Sequence, residues 1–399
     1  MNVAGTATAG NLETLNGDWS PAEAPRPVLF LTINNGAGHT RAAEALAAAW
    51  QSINREMPAR VVEVSAFMSP LARFTHVSLY LWLLKNAPRV WGKIDDYQKR
   101  QTQTSPEWFY RRECRKLFEL VKEIQPAAIV ATEVGCAEIA ALIKRDLRLK
   151  IPLVAVNVNY DADRAWIQPE TDFYCLASDS SAADFEFFGA RRGQIAAWGV
   201  PMQAEFTSDF DRIEERRKVN EWLDLNSDAP LVLVAGGGEG MGEIEEIVKK
   251  LTVLNTPAAI VVLAGKNEKL KRNCERLARN AKNLRVLGWT HRVPQLFHAA
   301  DLLVSKLGNT FDEALACALP IVALQPPPGS ERVQYELLER WGTGRAVRTI
   351  EEAAQTVEKL LKNPHELAEL RKNSEAFRQT NAAEKMVQWL AENIVKRDE

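Results

Sequence analysis

The sequence predicts an α/β protein with two parallel-sheet domains and a ligand cleft between them. Short apolar runs suited to buried strands alternate with helical patterns along nearly the whole chain, the arrangement that builds parallel sheets covered by helices. One opening, an apolar strand followed by a glycine loop and a helix, occurs twice. Val28 to Ile33 leads into Asn34-Asn35-Gly36-Ala37-Gly38-His39-Thr40, and Leu231 to Ala235 leads into Gly236-Gly237-Gly238-Glu239-Gly240-Met241-Gly242. At 399 residues the chain is too long for one ordinary core, which fits two domains. The expected boundaries are a tail over 1–24, a first domain over 25–205, a linker helix over 206–228, a second domain over 229–372, and C-terminal helices over 373–399 that cross back to brace the first domain.

Met1 to Ala24 is rich in Ala, Gly, Thr and Asn without a sustained period, and reads as a mobile tail. The first strand and glycine loop run into an Ala-rich helix through Trp50, and Arg60 to Ser65 is the next strand. Ala66 to Lys116 differs from the rest. It interleaves aromatic residues, among them Phe74, Trp82, Trp91 and Trp108, with Arg73, Lys85, Arg89 and Lys93, and Pro58, Pro70, Pro88 and Pro106 break it into short pieces. Such a mixture suits a pair of interfacial helices, with Trp82 and Trp91 entering the headgroup zone and Lys85 and Arg89 meeting anionic lipid. The alternative is a helical excursion packed on its own domain.

Ala127 to Ala131 and Leu153 to Val158 are further strands, ending in Thr132-Glu133 and Asn159-Tyr160-Asp161. Strand ends of this kind face the cleft in open α/β sheets, so Glu133 and Asp161 are candidates for proton transfer. Either can equally be a helix cap or an ion-pair partner. Phe173 to Ala177 and Ile195 to Ala197 complete the first set, and the charged stretch Asp209 to Asn226 reads as the connecting helix. In the second half, Glu243 to Leu251 is a helix, while Ala259 to Gly265, Leu284 to Gly288 and Leu302 to Val304 are strands. Leu307-Gly308-Asn309-Thr310 then turns into a helix carrying Asp312 and Glu313. Free amides at such a helix start favour an anionic group, and a carboxylate one turn in can accept hydrogen bonds from a ribose diol. Three helical patterns follow from Ile350, the last over Ala382 to Val395.

Composition excludes several classes. With net charge −2 and 26% charged residues, this is a globular protein and not a nucleic-acid-coating one. The five cysteines are scattered, without CxxC spacing, so neither a disulfide framework nor a zinc site is indicated, in keeping with a reducing cytoplasm. No secretory start and no run of about 18 apolar residues is present. Arg41 stands where a dinucleotide fingerprint needs a third glycine, and the P-loop lysine is missing.

Several pieces in order carry a resemblance: Asn35-Gly36-Ala37-Gly38-His39, Asn157-Val158 followed by Asp161, Gly199-Val200-Pro201, Ala264-Gly265-Lys266-Asn267, Val286-Leu287-Gly288-Trp289, Ser305-Lys306 with Gly308, Glu313-Ala314 and Pro328-Gly329-Ser330-Glu331. From about Pro27 to Gly344 the chain resembles the monogalactosyldiacylglycerol synthase and processive diacylglycerol glucosyltransferase family, glycosyltransferases of the family 28 type. The resemblance implies the GT-B fold, two Rossmann-like domains facing each other across a cleft. It also implies a peripheral enzyme on the cytoplasmic face of the membrane, moving a hexose with inversion and without a required metal or other cofactor. The donor would be UDP-galactose or UDP-glucose, held mainly by the second domain, and the acceptor a diacylglycerol-like lipid.

On these lines Glu313 binds the ribose, Gly308 and Asn309 the diphosphate, and Lys306, Thr310, Ser330, Glu331 and Gln334 complete the donor site, with Gly237 and Gly238 approaching from another side. Gly36, Gly38 and Glu133 lie toward the acceptor, and His39 or Asp161 takes its proton. The alternative function is a GT-B nucleotide-sugar binder that is an epimerase, a transferase for a polyprenyl-linked acceptor, or a non-catalytic sensor. Departures include Lys306-Leu307-Gly308-Asn309 where relatives read Lys-Pro-Gly-Gly, Gln334 where they carry Asn, Met202-Gln203 where an Arg commonly follows Gly-Val-Pro, and a shorter loop after Asn157 that loses their histidine.

Overall fold

The computed structural model describes residues 6–7, 25–34, 37–225, 229–324 and 332–398. It divides into two compact units, 1–203 with 328–330 and 381–399, and 204–327 with 331–380. No described helix is long and apolar enough to cross a membrane.

Unit 1 is built on a parallel sheet of strands β1 (Thr6–Ala7), β2 (Val28–Thr32), β3 (Ala59–Glu63), β4 (Ala128–Ala131), β5 (Leu153–Asn157), β6 (Phe173–Leu176) and β7 (Ile195–Ala196), in the order β1-β3-β2-β4-β5-β6-β7. β2, β4, β5 and β6 are buried along their whole length. That is why each reads as an unbroken apolar run instead of an alternating one. The order reverses between β2 and β4, so the segments leaving these two strands diverge and open a crevice at their C-terminal ends. Of the stretch read as a mobile tail, only Thr6 and Ala7 lie among the described residues. Thr6 and Ala7 pair in parallel with Val61 and Val62, satisfying backbone groups of an otherwise open sheet edge.

The segment 66–116 follows its prolines. Pro70 and Pro88 occupy the first turns of the helices Pro70–Arg73 and Pro88–Gln98, and Pro106 precedes Glu107–Glu113. Proline suits these positions because the first helical N–H groups have no intrahelical acceptor. One side of the segment is core, with Phe67, Met68, Ala72, Tyr110, Cys114 and Leu117 all buried. The helix Ala382–Asp398 lies on unit 1 through buried Met386, Val387, Leu390 and Ile394, and Trp389 stacks on Phe173 at 4.3 Å between ring centroids.

Unit 2 repeats the plan with β8 (Leu231–Ala235), β9 (Ala259–Leu263), β10 (Leu284–Leu287), β11 (Leu302–Ser305), β12 (Ile321–Ala323) and β13 (Gly344–Ala346), in the order β10-β9-β8-β11-β12-β13. Here the reversal falls between β8 and β11. The stretch read as a linker is an integral part of this unit. Its helix Arg212–Leu223 is tied down by Arg212 and Arg216, whose guanidiniums both pair with Asp301.

Candidate active site

Each unit gathers candidate residues at its point of strand reversal. In unit 1, His39 lies in the first turn of the helix Ala37–Ile53, after β2, and Thr132 directly follows β4. The two residues grip each other. His39 Nδ1 lies 2.7 Å from the Thr132 carbonyl oxygen, and the Thr132 hydroxyl donates to the His39 carbonyl at 3.0 Å and to that of Leu31 at 3.2 Å. A carbonyl can only accept, so Nδ1 carries the hydrogen and Nε2 of the neutral ring keeps its lone pair. Burial lowers the His39 pKa below the usual imidazole value, with the Thr132 carbonyl opposing. At neutral pH the ring is therefore unprotonated at Nε2, the state of a general base.

The neighbouring acids are held near neutrality. Glu133 is buried and caps the helix Val134–Asp146, accepting from the Cys136 N–H at 3.1 Å. Burial pushes its carboxyl up to about 7. Further along this helix, Glu138 accepts from the Thr104 N–H at 2.7 Å, from the Tyr110 hydroxyl at 2.9 Å and from the Thr104 hydroxyl, and burial takes it to about 8. Asp163 rises to about 7, through burial first and the Asp161 charge second. Asp161 itself is ion-paired, its Oδ2 at 2.7 Å from Lys99 Nζ, and Lys99 also meets Asp95 at 2.9 Å. Gly38 sits beside His39 in the same helical turn, while Gly36 lies outside the described residues.

In unit 2 the polar groups are mostly backbone. β8 and β11 are neighbours with Ala235 opposite Ser305, whose hydroxyl donates to the Ala235 carbonyl at 2.8 Å. Gly237 and Gly238 after β8, and Lys306, Gly308, Asn309 and Thr310 after β11, thus leave adjacent strands at one edge of the sheet. The glycine loop is packed against the next one: a Cβ on Gly265 would fall 2.2 Å from the Gly238 carbonyl oxygen. Gly308 has φ 103° and ψ −155°, a backbone state closed to side chains, and caps the helix Asn309–Ala316. Its amide is already engaged. The Gln334 side chain accepts from the Gly308 N–H at 2.8 Å and donates to the Gly308 carbonyl at 3.3 Å, and the Leu307 N–H donates to the Tyr335 hydroxyl at 3.3 Å. Asn309 and Thr310 open this helix, where the first N–H groups have no intrahelical acceptor. Glu313, one turn in, is buried. Ser330 and Glu331 lie outside the described residues.

The four residues expected to dock on membrane separate. Trp82 is 56% exposed and Arg89 exposed, whereas Trp91 is half-buried and meets Tyr80 edge-on at 4.7 Å. The Lys85 side chain lies outside the described residues. Leu71, Phe74, Val90, Tyr97 and Trp108 add exposed apolar surface on the same segment. Three residues that complete these sites escape sequence reasoning: Thr132, Lys99 and Tyr335. Of these only Thr132, at a strand end, carried a positional signal.

Residues 39–202 match the family model for monogalactosyldiacylglycerol (MGDG) synthase, and residues 215–377 that for glycosyl transferases group 1. A processive diacylglycerol beta-glucosyltransferase of Bacillus licheniformis is 26% identical over 367 residues, 90% of this chain and 92% of that protein. The enzyme of the same name from Bacillus subtilis is 26% identical over 93% of this chain and 95% of its own. Among solved structures, Acinetobacter baumannii MurG superposes with a TM-score of 0.61 at 15% identity, covering 92% of this chain and all of that one. Anabaena HepE in complex with UDP-glucose gives 0.56 at 16% identity, covering 93% of this chain and all of its own. These likenesses identify the fold as GT-B. By sequence, the chain is similar over most of its length to the processive diacylglycerol beta-glucosyltransferases.

Proposed function

We propose that the protein is an inverting glycosyltransferase that moves glucose or galactose from a UDP-sugar to diacylglycerol or a related lipid at the cytoplasmic face of a membrane. The observation that carries the reading is the alignment with the diacylglycerol glucosyltransferases over nine-tenths of both chains. The MGDG synthase model coincides with the unit that holds His39. In this reading His39 Nε2 removes the proton from the acceptor hydroxyl as its oxygen attacks the anomeric carbon and the bond to UDP breaks. The Thr132 carbonyl then steadies the proton on Nδ1 of the imidazolium. Asp161 is the weaker candidate for the base, because its Oδ2 is already occupied by Lys99 at 2.7 Å.

On the donor side, the helix start at Asn309 and Thr310 holds the diphosphate with Lys306 nearby, and Glu313 accepts from the ribose. Fixed dipoles and an ammonium can stabilise the leaving UDP, so the reading requires no metal. The exposed apolar residues at 71, 74, 82, 90, 97 and 108, together with Arg89, form the surface that meets anionic lipid.

The test is to incubate the purified protein with diacylglycerol vesicles and radiolabelled UDP-glucose or UDP-galactose, with and without EDTA. A labelled lipid in both conditions supports the reading. No label from either donor overturns the transferase, and label abolished by EDTA overturns its metal independence.

A further inference from the structure

Lys99 follows the helix Pro88–Gln98, which carries the exposed Val90 and Tyr97, and reaches across to the loop after β5 by two routes. Its ammonium contacts Asp161 at 2.7 Å and Asp95 at 2.9 Å, and its carbonyl accepts from the Arg164 N–H at 3.1 Å. The loop is in turn fastened to the sheet. Asn157, the last residue of β5, donates from its side chain to the Asp161 carbonyl at 2.7 Å and accepts from the Asn159 N–H at 2.9 Å. Arg164 and Asp163 bracket the far side of the same turn. One residue thus joins a surface helix, by both its side chain and its main chain, to a loop at the C-terminal edge of the unit 1 sheet.

We propose that Lys99 is a positioning residue for transfer, locking the Asp95–Lys99 end of the docking helix onto the Asp161–Arg164 loop so that seating on lipid and the geometry of the acceptor loop are set together. The inference rests on the glycolipid reading above. Its physics is local charge. Asp95, Asp161 and Asp163 crowd around a single ammonium, and without it the carboxylates repel one another and the loop leaves the helix. A lysine suits the place because its long stem and three donors span two carboxylates and only the charge must be supplied. The three ion-paired side chains, Lys99, Asp95 and Asp161, are at least three-quarters covered, so removing one partner is felt more than at an open surface pair.

The test compares Lys99→Met and Lys99→Arg with wild type in the vesicle assay, alongside UDP calorimetry and vesicle co-sedimentation. Lys99→Met is expected to lower kcat roughly 10- to 100-fold, the scale of a misplaced catalytic wall. UDP affinity and vesicle binding should stay within about twofold of wild type. Lys99→Arg should restore most of the rate. Should Lys99→Met fail to fold, Lys99→Gln, which keeps a donor to Asp161, should show a several-fold kcat loss with the same unchanged UDP affinity. Turnover by Lys99→Met equal to wild type would overturn the proposal. So would a loss of UDP affinity in step with turnover, or an arginine variant as damaged as the methionine one. A wild-type protein that labels no lipid would instead remove the underlying reading, leaving the two failures distinct.

Discussion

The two halves of the chain share a sheet plan and a strand reversal, yet equip the reversal differently. In unit 1 the groups there are side chains whose proton affinity the fold has moved: His39 lowered, Glu133 up to about 7, with Asp163 also about 7 and Glu138 about 8 nearby. In unit 2 they are peptide groups, Gly308 in a glycine-only conformation and the amides of a helix start, braced by the neutral side chains of Gln334 and Tyr335. On the proposed reading the same topology serves two chemistries. Proton transfer needs titratable groups near neutrality, whereas holding a diphosphate needs fixed dipoles that never titrate. If that division is real, substitutions in unit 1 should act on turnover and those in unit 2 on nucleotide affinity.

The largest effect expected is for His39→Ala, which should lower kcat about 10²- to 10⁴-fold, the usual contribution of a general base, with UDP affinity by calorimetry unchanged. A comparable loss of UDP binding would blur the division. Next is Gly308→Ala. Forcing a side chain into its φ and ψ costs on the order of 1–3 kcal/mol, so the loop will move and UDP affinity should fall by roughly that amount; unchanged affinity would place the diphosphate elsewhere. Glu313→Ala should weaken UDP binding by about 1.5–3 kcal/mol, the worth of a hydrogen bond to a charged acceptor, and kcat at saturating donor should change less. The smallest effect is expected for Trp82→Ala, which should reduce co-sedimentation with anionic vesicles by a few-fold, since one exposed aromatic is a fraction of the apolar surface. Trp91→Ala should affect thermal stability more than vesicle binding, because that ring packs on Tyr80.

Much of the fold is legible in the sequence because both sheets are parallel and covered on both faces. Strands such as Leu231–Ala235 and Ala259–Leu263 are apolar at every position, and each is followed by a turn and a helix. β13 is not legible, since Gly344-Arg345-Ala346 has no apolar run, and Thr6–Ala7 is too short to show a period. Of the site, what sits on one loop can be read: His39 after its glycines, and the start of the helix at Asn309. What depends on which strands are neighbours cannot. His39 and Thr132 are 93 residues apart in sequence and meet because β2 and β4 pair, and Lys99 meets Asp161 across 62. Glu138 was invisible for another reason: a charged residue within a helical pattern reads as solvent-facing, and only the Thr104 and Tyr110 donors make its burial tolerable.

The most direct test of the central claim is the pH dependence of kcat for lipid glycosylation in wild type and in His39→Gln. If His39 is the base, wild-type kcat rises with pH through a limb centred below the usual imidazole value of about 6.5, because burial lowers its pKa and the neutral ring is the active form. That limb should vanish in the glutamine variant, leaving only slow, pH-insensitive turnover. A limb of the same position and amplitude in His39→Gln would assign the proton to another group and contradict the account.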